Sequence, residues 1–367
     1  MMENVEACSY TMKILTLYLP QFHTFPENDR WWGKGYTEWT AVRKARPMFP
    51  GHDQPKVPLD QNYYDLVKNG VQTLTWQAKL MKQYGVYGLC MYHYWFNGKL
   101  LLEKPMEILR DHPEIDMRYT ICWANEPWAR TWDGKPGNVL MPQTYGGEEE
   151  VRQHFQYLLP FFKDQRYIKI DGKPMVHLYK SANIPELEKR MTIFQKFAMD
   201  SGFPGIYWVS AITAAGADER RSLFDHYYYF EPGYTLRQDL PKPDRLRYLM
   251  ATEARTIYNT FAFTGKKTVE RRINAGLIWD RIEKRKPDSM ISPGTFPSWD
   301  NTPRKHEKGT VFFHATPERF GRDVRLLTNK YPEDEFLYIN AWNEWGEGAY
   351  LEPDEKTRYA YLEGLKK

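Results

Sequence analysis

The residues best suited to chemistry lie in AWNEWGEGAYLEP (341–353), where Glu344, Glu347 and Glu352 sit among two tryptophans and two glycines. Glu344 and Glu347 stand three apart, a spacing that on a surface helix would make a solvated face. This stretch is a poor helix, because Gly346 and Gly348 are unfavourable in a helix interior and Pro353 follows closely. The preceding FLYINAW (336–342) is short, aromatic and β-branched, as a buried strand is. The two glutamates therefore fall at a strand's C-terminal end or in the loop beyond it. Two carboxyls so placed suit acid–base work at a glycosidic bond, one raised in pKa and the other ionised. The competing reading makes one of them structural, bonded to backbone amides of the glycine turn.

Other polar and aromatic residues cluster after similar apolar runs. Gln21, His23 and Glu38 lie in PQFHTFPENDRWWGKGYTEW (20–39), and Tyr92, His93, Tyr94 and Trp95 in MYHYWF (91–96). Asn125, Glu126 and Trp132 lie in NEPWARTWDGKPG, Glu231 in EPGY, Trp299 and Asp300 in PSWDNTPRK, and Asn343 and Trp345 flank Glu344. Carboxylates framed by flat rings have the composition of a sugar site: rings cover the C–H faces of a pyranose, while carboxylates and amides hold its hydroxyls. Each residue has a plainer alternative. Glu126 could pair with Arg130 at a barrel rim, MYHYWF could be half core, and Asp300 could cap a turn. His23 and His93 could join Glu126 or Glu231 around a metal, but no His-x-His or HExxH spacing occurs, and no metal or cofactor is expected.

Positioning these residues requires a scaffold, and the apolar runs supply one. Strand-like segments recur at 14–19, 87–93, 118–123, 175–179, 206–211, 224–230, 290–292 and 336–342. Helical periodicity falls between several of them: Val67, Val71, Leu74, Ala78 and Met81 stop at Gly85, and Leu187, Met191, Phe194 and Ala198 stop at Gly202. TVERRINAGLIWDRIEKR (268–285) reads as a third amphipathic helix. Eight strands alternating with helices, with no linker or repeat, predict a (β/α)8 barrel whose C-terminal face carries the chemistry. Residues 1–12 read as an extension and 13–367 as a single catalytic domain.

Composition narrows the function. Aromatic residues make up 16% of the chain, with 13 Trp and 26 Tyr, more than packing alone requires. A net charge of +4, with basic residues interleaved among acids, argues against a nucleic-acid partner. No apolar run approaches the roughly 18 residues of a membrane span. Three cysteines and no secretory signal make the cytoplasm the expected compartment, with Cys90 and Cys122 reduced and buried. TGKKT (264–268) lacks the upstream glycine of a phosphate loop, GEGAYL lacks the third glycine of a dinucleotide fingerprint, and no G-x-S-x-G occurs.

Several long motifs are familiar. LYLPQFHTFPENDRWWGKGYTEWTAV, CWANEPWARTWDG, PSWDNTPR and INAWNEWGEGAYLEPD strongly resemble the WbsX-like family, labelled as glycosyltransferases of polysaccharide gene clusters and related to family 99 glycoside hydrolases. The resemblance runs from about Lys13 onward. It implies a (β/α)8 barrel and a carbohydrate substrate. Family 99 enzymes are endo-acting α-mannosidases and mannanases that retain anomeric configuration without a protein nucleophile. By their N-E-W-x-E-G pattern Glu344 would draw the proton from a sugar 2-hydroxyl, which attacks C1 to give a 1,2-anhydro sugar, and Glu347 would protonate the leaving oxygen. Pro127 stands where that family's WANENW would place Asn, and no family 99 substrate loop is recognisable, so mannose specificity does not follow. A glycosyltransferase and a catalytically silent carbohydrate-binding barrel are the alternatives. The absence of an Asp-x-Asp tripeptide argues against one metal-dependent transferase class.

Overall fold

A computed structural model describes residues 12–129, 139–262, 267–332 and 334–366. Of the expected N-terminal extension only Met12 is among them, and it is buried. Trp132 and Arg130 lie outside the described residues.

Nine parallel segments form the main sheet. Two of them, Ile291–Ser292 and Gly294–Thr295, are halves of one strand interrupted at Pro293. The barrel strands are therefore β1 (Lys13–Tyr18), β2 (Val86–Phe96), β3 (Arg118–Trp123), β4 (Lys173–Leu178), β5 (Tyr207–Ile212), β6 (His226–Tyr229), β7 (the two halves) and β8 (Phe336–Ile339). Each pairs with the next, and β8 returns to β1 in the register Lys13↔Phe336 to Thr16↔Ile339. The first half of β7 pairs with β6 and the second with β8, so this short strand closes the ring. A Cβ at Gly294 would stand 1.9 Å from the Tyr229 carbonyl oxygen, so only glycine allows β7 this close to β6. All eight expected strands are present, with shifted ends.

The barrel interior is filled by a cluster of strand residues, among them Leu15, Leu17, Cys90, Cys122, Val209 and Tyr228. Both cysteines are free thiols there. A larger apolar shell lies between strands and helices. The helix expected before Gly85 runs Gly70–Tyr84, capped by Gly85 in the left-handed conformation that glycine adopts without steric cost. The helix expected before Gly202 runs Leu187–Asp200.

The third expected helix is half strand. Arg271–Asn274 is extended and pairs in parallel with Thr310–Phe313, and only Ala275–Lys284 is helical, with the Asn274 side chain accepting from Gly276 N–H. Val269 and Ile273 are buried as their spacing required, but i, i+4 positions share a face in a strand as well as in a helix. The pairing ties the long connection after β6 to the loop after β7, giving the top of the barrel one continuous wall. Among the described residues no helix is long and apolar enough to cross a membrane.

Candidate active site

Every barrel strand feeds one cleft of about 490 Å3 at its C-terminal end. Leu19 follows β1, Tyr92 and Tyr94 end β2, Glu126 follows β3, Tyr179 follows β4, Ala214 follows β5 and Phe230 follows β6; Trp299 and Asn301 follow β7, and Glu344 and Glu347 follow β8. Glu344 sits on a two-residue strand paired back to Ala349–Tyr350, and the single turn Trp345–Glu347 carries Glu347.

Arg304 organises both glutamates. Its side chain is 5% exposed and makes three ion pairs: Nε to Glu38 Oε1 at 2.7 Å, Nη2 to Glu344 Oε2 at 2.8 Å and Nη1 to Glu347 Oε1 at 3.0 Å. Three carboxylates around one cation leave a negative excess in a buried place. Burial pushes the Glu344 carboxyl up to about 8, with Arg304 opposing the rise and the Glu347 and Glu38 charges adding to it. Glu344 thus gives up its proton far less readily than an ordinary carboxyl. A Cβ on Gly346 would fall 1.7 Å from Glu38 Oε1 and 2.7 Å from Arg304 Nε, so that glycine is what lets the turn pass over the ion-pair cluster. Tyr92 and Tyr94 stand beside Glu344: burial raises both phenols, and its charge is the next cause.

The other expected site residues divide. Glu126 lines the cleft and pairs with Lys180. Trp299 lines it half-buried, and Glu38 reaches the site only through Arg304. The remaining described ones are not among the lining residues, and most of them are taken up by partners elsewhere. His93 and Trp95 alternate with Tyr92 and Tyr94, and so point outward into the helix layer. There His93 Nε2 bonds His154 Nε2 at 2.8 Å, Trp95 stacks on His154, and burial lowers His93 to about 3, keeping it neutral. His23 is buried and lowered to about 4 by desolvation. Gln21 bonds Asn28 at 3.4 Å.

Asn125 clamps Lys180 through its backbone N–H and carbonyl at 2.9 and 2.8 Å. Asn343 does the same to Leu19 at 2.8 and 2.9 Å, stitching the end of β8 to the end of β1. Glu231 pairs with Arg285 at 3.0 Å, and Asp300 accepts from Thr302, His52 and Gln54. Trp345 stacks on Tyr350 and donates to Glu352 at 2.7 Å. Glu352 also accepts from Tyr64, Gln77 and Trp342, and burial raises it to about 7. Of the three carboxylates in the motif, it is the framework one.

Sequence reasoning passed over Arg304, Lys305, Arg237, Tyr179 and Phe312, all lining residues. A signal existed for the first: Arg304 lies in the motif PSWDNTPRK, and a pocket collecting several glutamates needs a buried cation. Among the described residues no group of three or more His, Cys, Asp or Glu could hold a metal ion.

The fold is a (β/α)8 barrel with a cleft of paired carboxylates and aromatic walls at the C-terminal ends of its strands. The structure matches an endo-α-mannosidase of glycoside hydrolase family 99 from Bacteroides thetaiotaomicron (TM-score 0.53, 12% identity, covering 96% of this chain and 95% of that one). It also matches a "glycoside hydrolase-like protein" (TM-score 0.57, 11% identity, covering 100% and 96%). At such identities the likeness is one of fold.

Residues 14–365 match the model of the family described as Glycosyltransferase WbsX, and the chain belongs to that family. An uncharacterized protein, WxcX, of Xanthomonas campestris pv. campestris is 34% identical over 364 residues, 96% of this chain and 49% of the relative. The chain spans about half the length of the curated relatives it matches.

Proposed function

We propose that the chain hydrolyses an α-linked oligo- or polysaccharide with retention of configuration, the sugar's own 2-hydroxyl serving as nucleophile. One observation carries the reading: Glu344 and Glu347 face a single cleft from neighbouring nitrogens of one guanidinium, so that two carboxyls can address two neighbouring oxygens of one sugar. In this scheme ionised Glu344 takes the O2 proton as O2 attacks C1. The bond from C1 to the leaving oxygen breaks, and Glu347 gives that oxygen a proton, leaving a 1,2-anhydro sugar. Glu347 then takes a proton from water as the water oxygen bonds C1 and the C1–O2 bond breaks, and Glu344 returns the proton to O2. Two inversions at C1 give net retention. Tyr92, Tyr94 and Trp299 offer rings to the sugar faces.

The family description favours a second reading, transfer of a sugar to a hydroxyl acceptor in place of water. A panel of defined α-linked oligosaccharides, followed by NMR of the first-formed anomer, tests the proposal. Hydrolysis with retention is expected, with no cleavage of a 2-deoxy analogue. Glu347→Gln should lose most activity on poor leaving groups and much less on an activated aryl glycoside. Glu344→Gln should lose about 10²- to 10⁴-fold on both, the usual weight of acid–base catalysis. A covalent adduct on Glu344 would overturn the internal nucleophile. Transfer from an activated donor without hydrolysis would decide for the second reading, and binding without turnover for a silent barrel.

A further inference from the structure

Among the described residues, the acidic groups on the cleft lining are committed. Glu38, Glu344 and Glu347 share Arg304, and Glu126 holds Lys180. Behind the wall Asp239 is taken by Arg281 and Arg285, Glu231 by Arg285, and Glu307 by Lys267. Two cations on the cleft lining are left over. Arg237, on the turn Thr235–Asp239, is exposed, and Lys305, at the end of the short helix Thr302–Lys305, is half-buried. Neither has a carboxylate within 4.0 Å among the described residues.

The acids behind this wall, Asp239 and Glu231, are already paired, and Arg271 adds a further cation beside it. Tyr248 is influenced by both Arg237 and Arg271, and its phenol bonds Thr310, itself a lining residue. The cleft is therefore electrically divided. Its glutamate pole is neutralised in part by Arg304, whereas its Arg237 and Lys305 pole has no ion-pair partner among the described residues. An anion entering the cleft would give these two lining cations the partner they lack among the described residues. A guanidinium offers a planar fork that fits a carboxylate or a phosphate in bidentate fashion, and an ammonium adds a point charge.

We infer that the glycan bound here carries an anionic substituent, a carboxylate as in a uronic acid or a phosphate as in a phosphosugar, seated on Arg237 and Lys305. This rests on the carbohydrate reading of the cleft and adds a substrate class to it. The neutral part of the ligand lies against the aromatic walls near the glutamates, and the charge fixes which way round the chain enters. Neutral glycans lack that anchor.

The test is binding by isothermal titration, which needs no turnover. Methyl α-glucuronide is compared with methyl α-glucoside, and mannose 6-phosphate with mannose, on the wild-type chain and on Arg237→Gln, Lys305→Gln and the double variant. At least one anionic ligand should bind on the order of ten- to a hundredfold more tightly than its neutral partner, the usual weight of a charge-assisted contact. The preference should shrink in each single variant, vanish in the double variant and weaken with added salt. Which pair shows it distinguishes carboxylate from phosphate. Equal affinity for charged and neutral ligands, absence of binding by all four, or a preference that survives in the double variant would overturn the inference. Failure of the hydrolase reading looks different: the preference remains and no glycosidic bond is cut.

Discussion

Arg304→Gln is the sharpest perturbation of this site. The change keeps a polar, donating side chain of shorter reach and deletes the charge that three carboxylates share at 2.7, 2.8 and 3.0 Å. Breaking a buried ion pair by removing one partner costs about 3–5 kcal/mol, because the other charge is left uncompensated. A domain holds only about 5–15 kcal/mol in all. Here the orphaned groups are carboxylates, so they can escape the penalty by taking up protons, and the cost must depend on pH.

The sign follows from Glu344. Its folded pKa of about 8 lies above the ordinary 4.5, so the folded state binds more protons than the unfolded one between those values. Wild-type stability therefore declines as pH rises from about 4.5 to about 8 and levels off above. Without Arg304 the cation that opposes the rise is gone, so the decline steepens and continues past pH 8. Urea denaturation at pH 5.5, 7.0 and 8.5 should show Arg304→Gln losing about 3–5 kcal/mol at the highest pH and clearly less at the lowest. Arg304→Lys should recover part of that stability, because it restores charge, but not activity, because an ammonium cannot hold three carboxylates in this geometry. An equal loss for Arg304→Gln at all three pH values would refute the shared-cation account.

Three further outcomes follow from the same site. If ionisation of Glu344 limits the reaction, kcat/KM should climb about tenfold from pH 7 to well above 8, since a group of pKa about 8 is about one-tenth ionised at neutrality; a rate that instead falls over that range would show that loss of a required proton, not its release from Glu344, is limiting. Gly346→Ala, whose methyl would overlap Glu38 Oε1, should displace Arg304 and lower activity by about 10²-fold, as small misplacements of reacting groups do; wild-type rates in this variant would show that the cluster does not set the geometry. Glu352→Ala strands the Tyr64, Gln77, Trp342 and Trp345 donors in the interior and should cost about 3 kcal/mol or more by denaturant melting; a loss under about 1 kcal/mol would mean water or relaxation satisfies them.

The barrel was legible in the sequence because its strands are short apolar runs separated by helices, and each run carries its own period. The site was legible only as a neighbourhood. In MYHYWF the alternation was visible, but which pair of rings faced the cleft depended on a helix carrying His154, some sixty residues further on. Glu231 and Asp300 looked like ligand-facing carboxylates because their partners, Arg285 and His52, lie far away in sequence. Strand Arg271–Asn274 was hidden for a related reason: its pairing partner Thr310–Phe313 is remote, and its buried positions suit either period. Arg304 lay inside a motif already singled out, but the three carboxylates it serves come from positions 38, 344 and 347, remote from it in sequence.

The stitch of Asn343 to Leu19 and the four donors gathered on Glu352 have a consequence for biosynthesis. The last barrel strand, both candidate glutamates and the carboxylate that welds them to the opening segments all emerge from the ribosome after the other seven strands. Until then β1 and the second half of β7 have an unpaired edge, the kind of exposed strand template on which nascent chains aggregate. Completion of the candidate cleft and closure of the ring are thus a single late event, so a chain stalled before residue 336 lacks both candidate glutamates and is open at that edge.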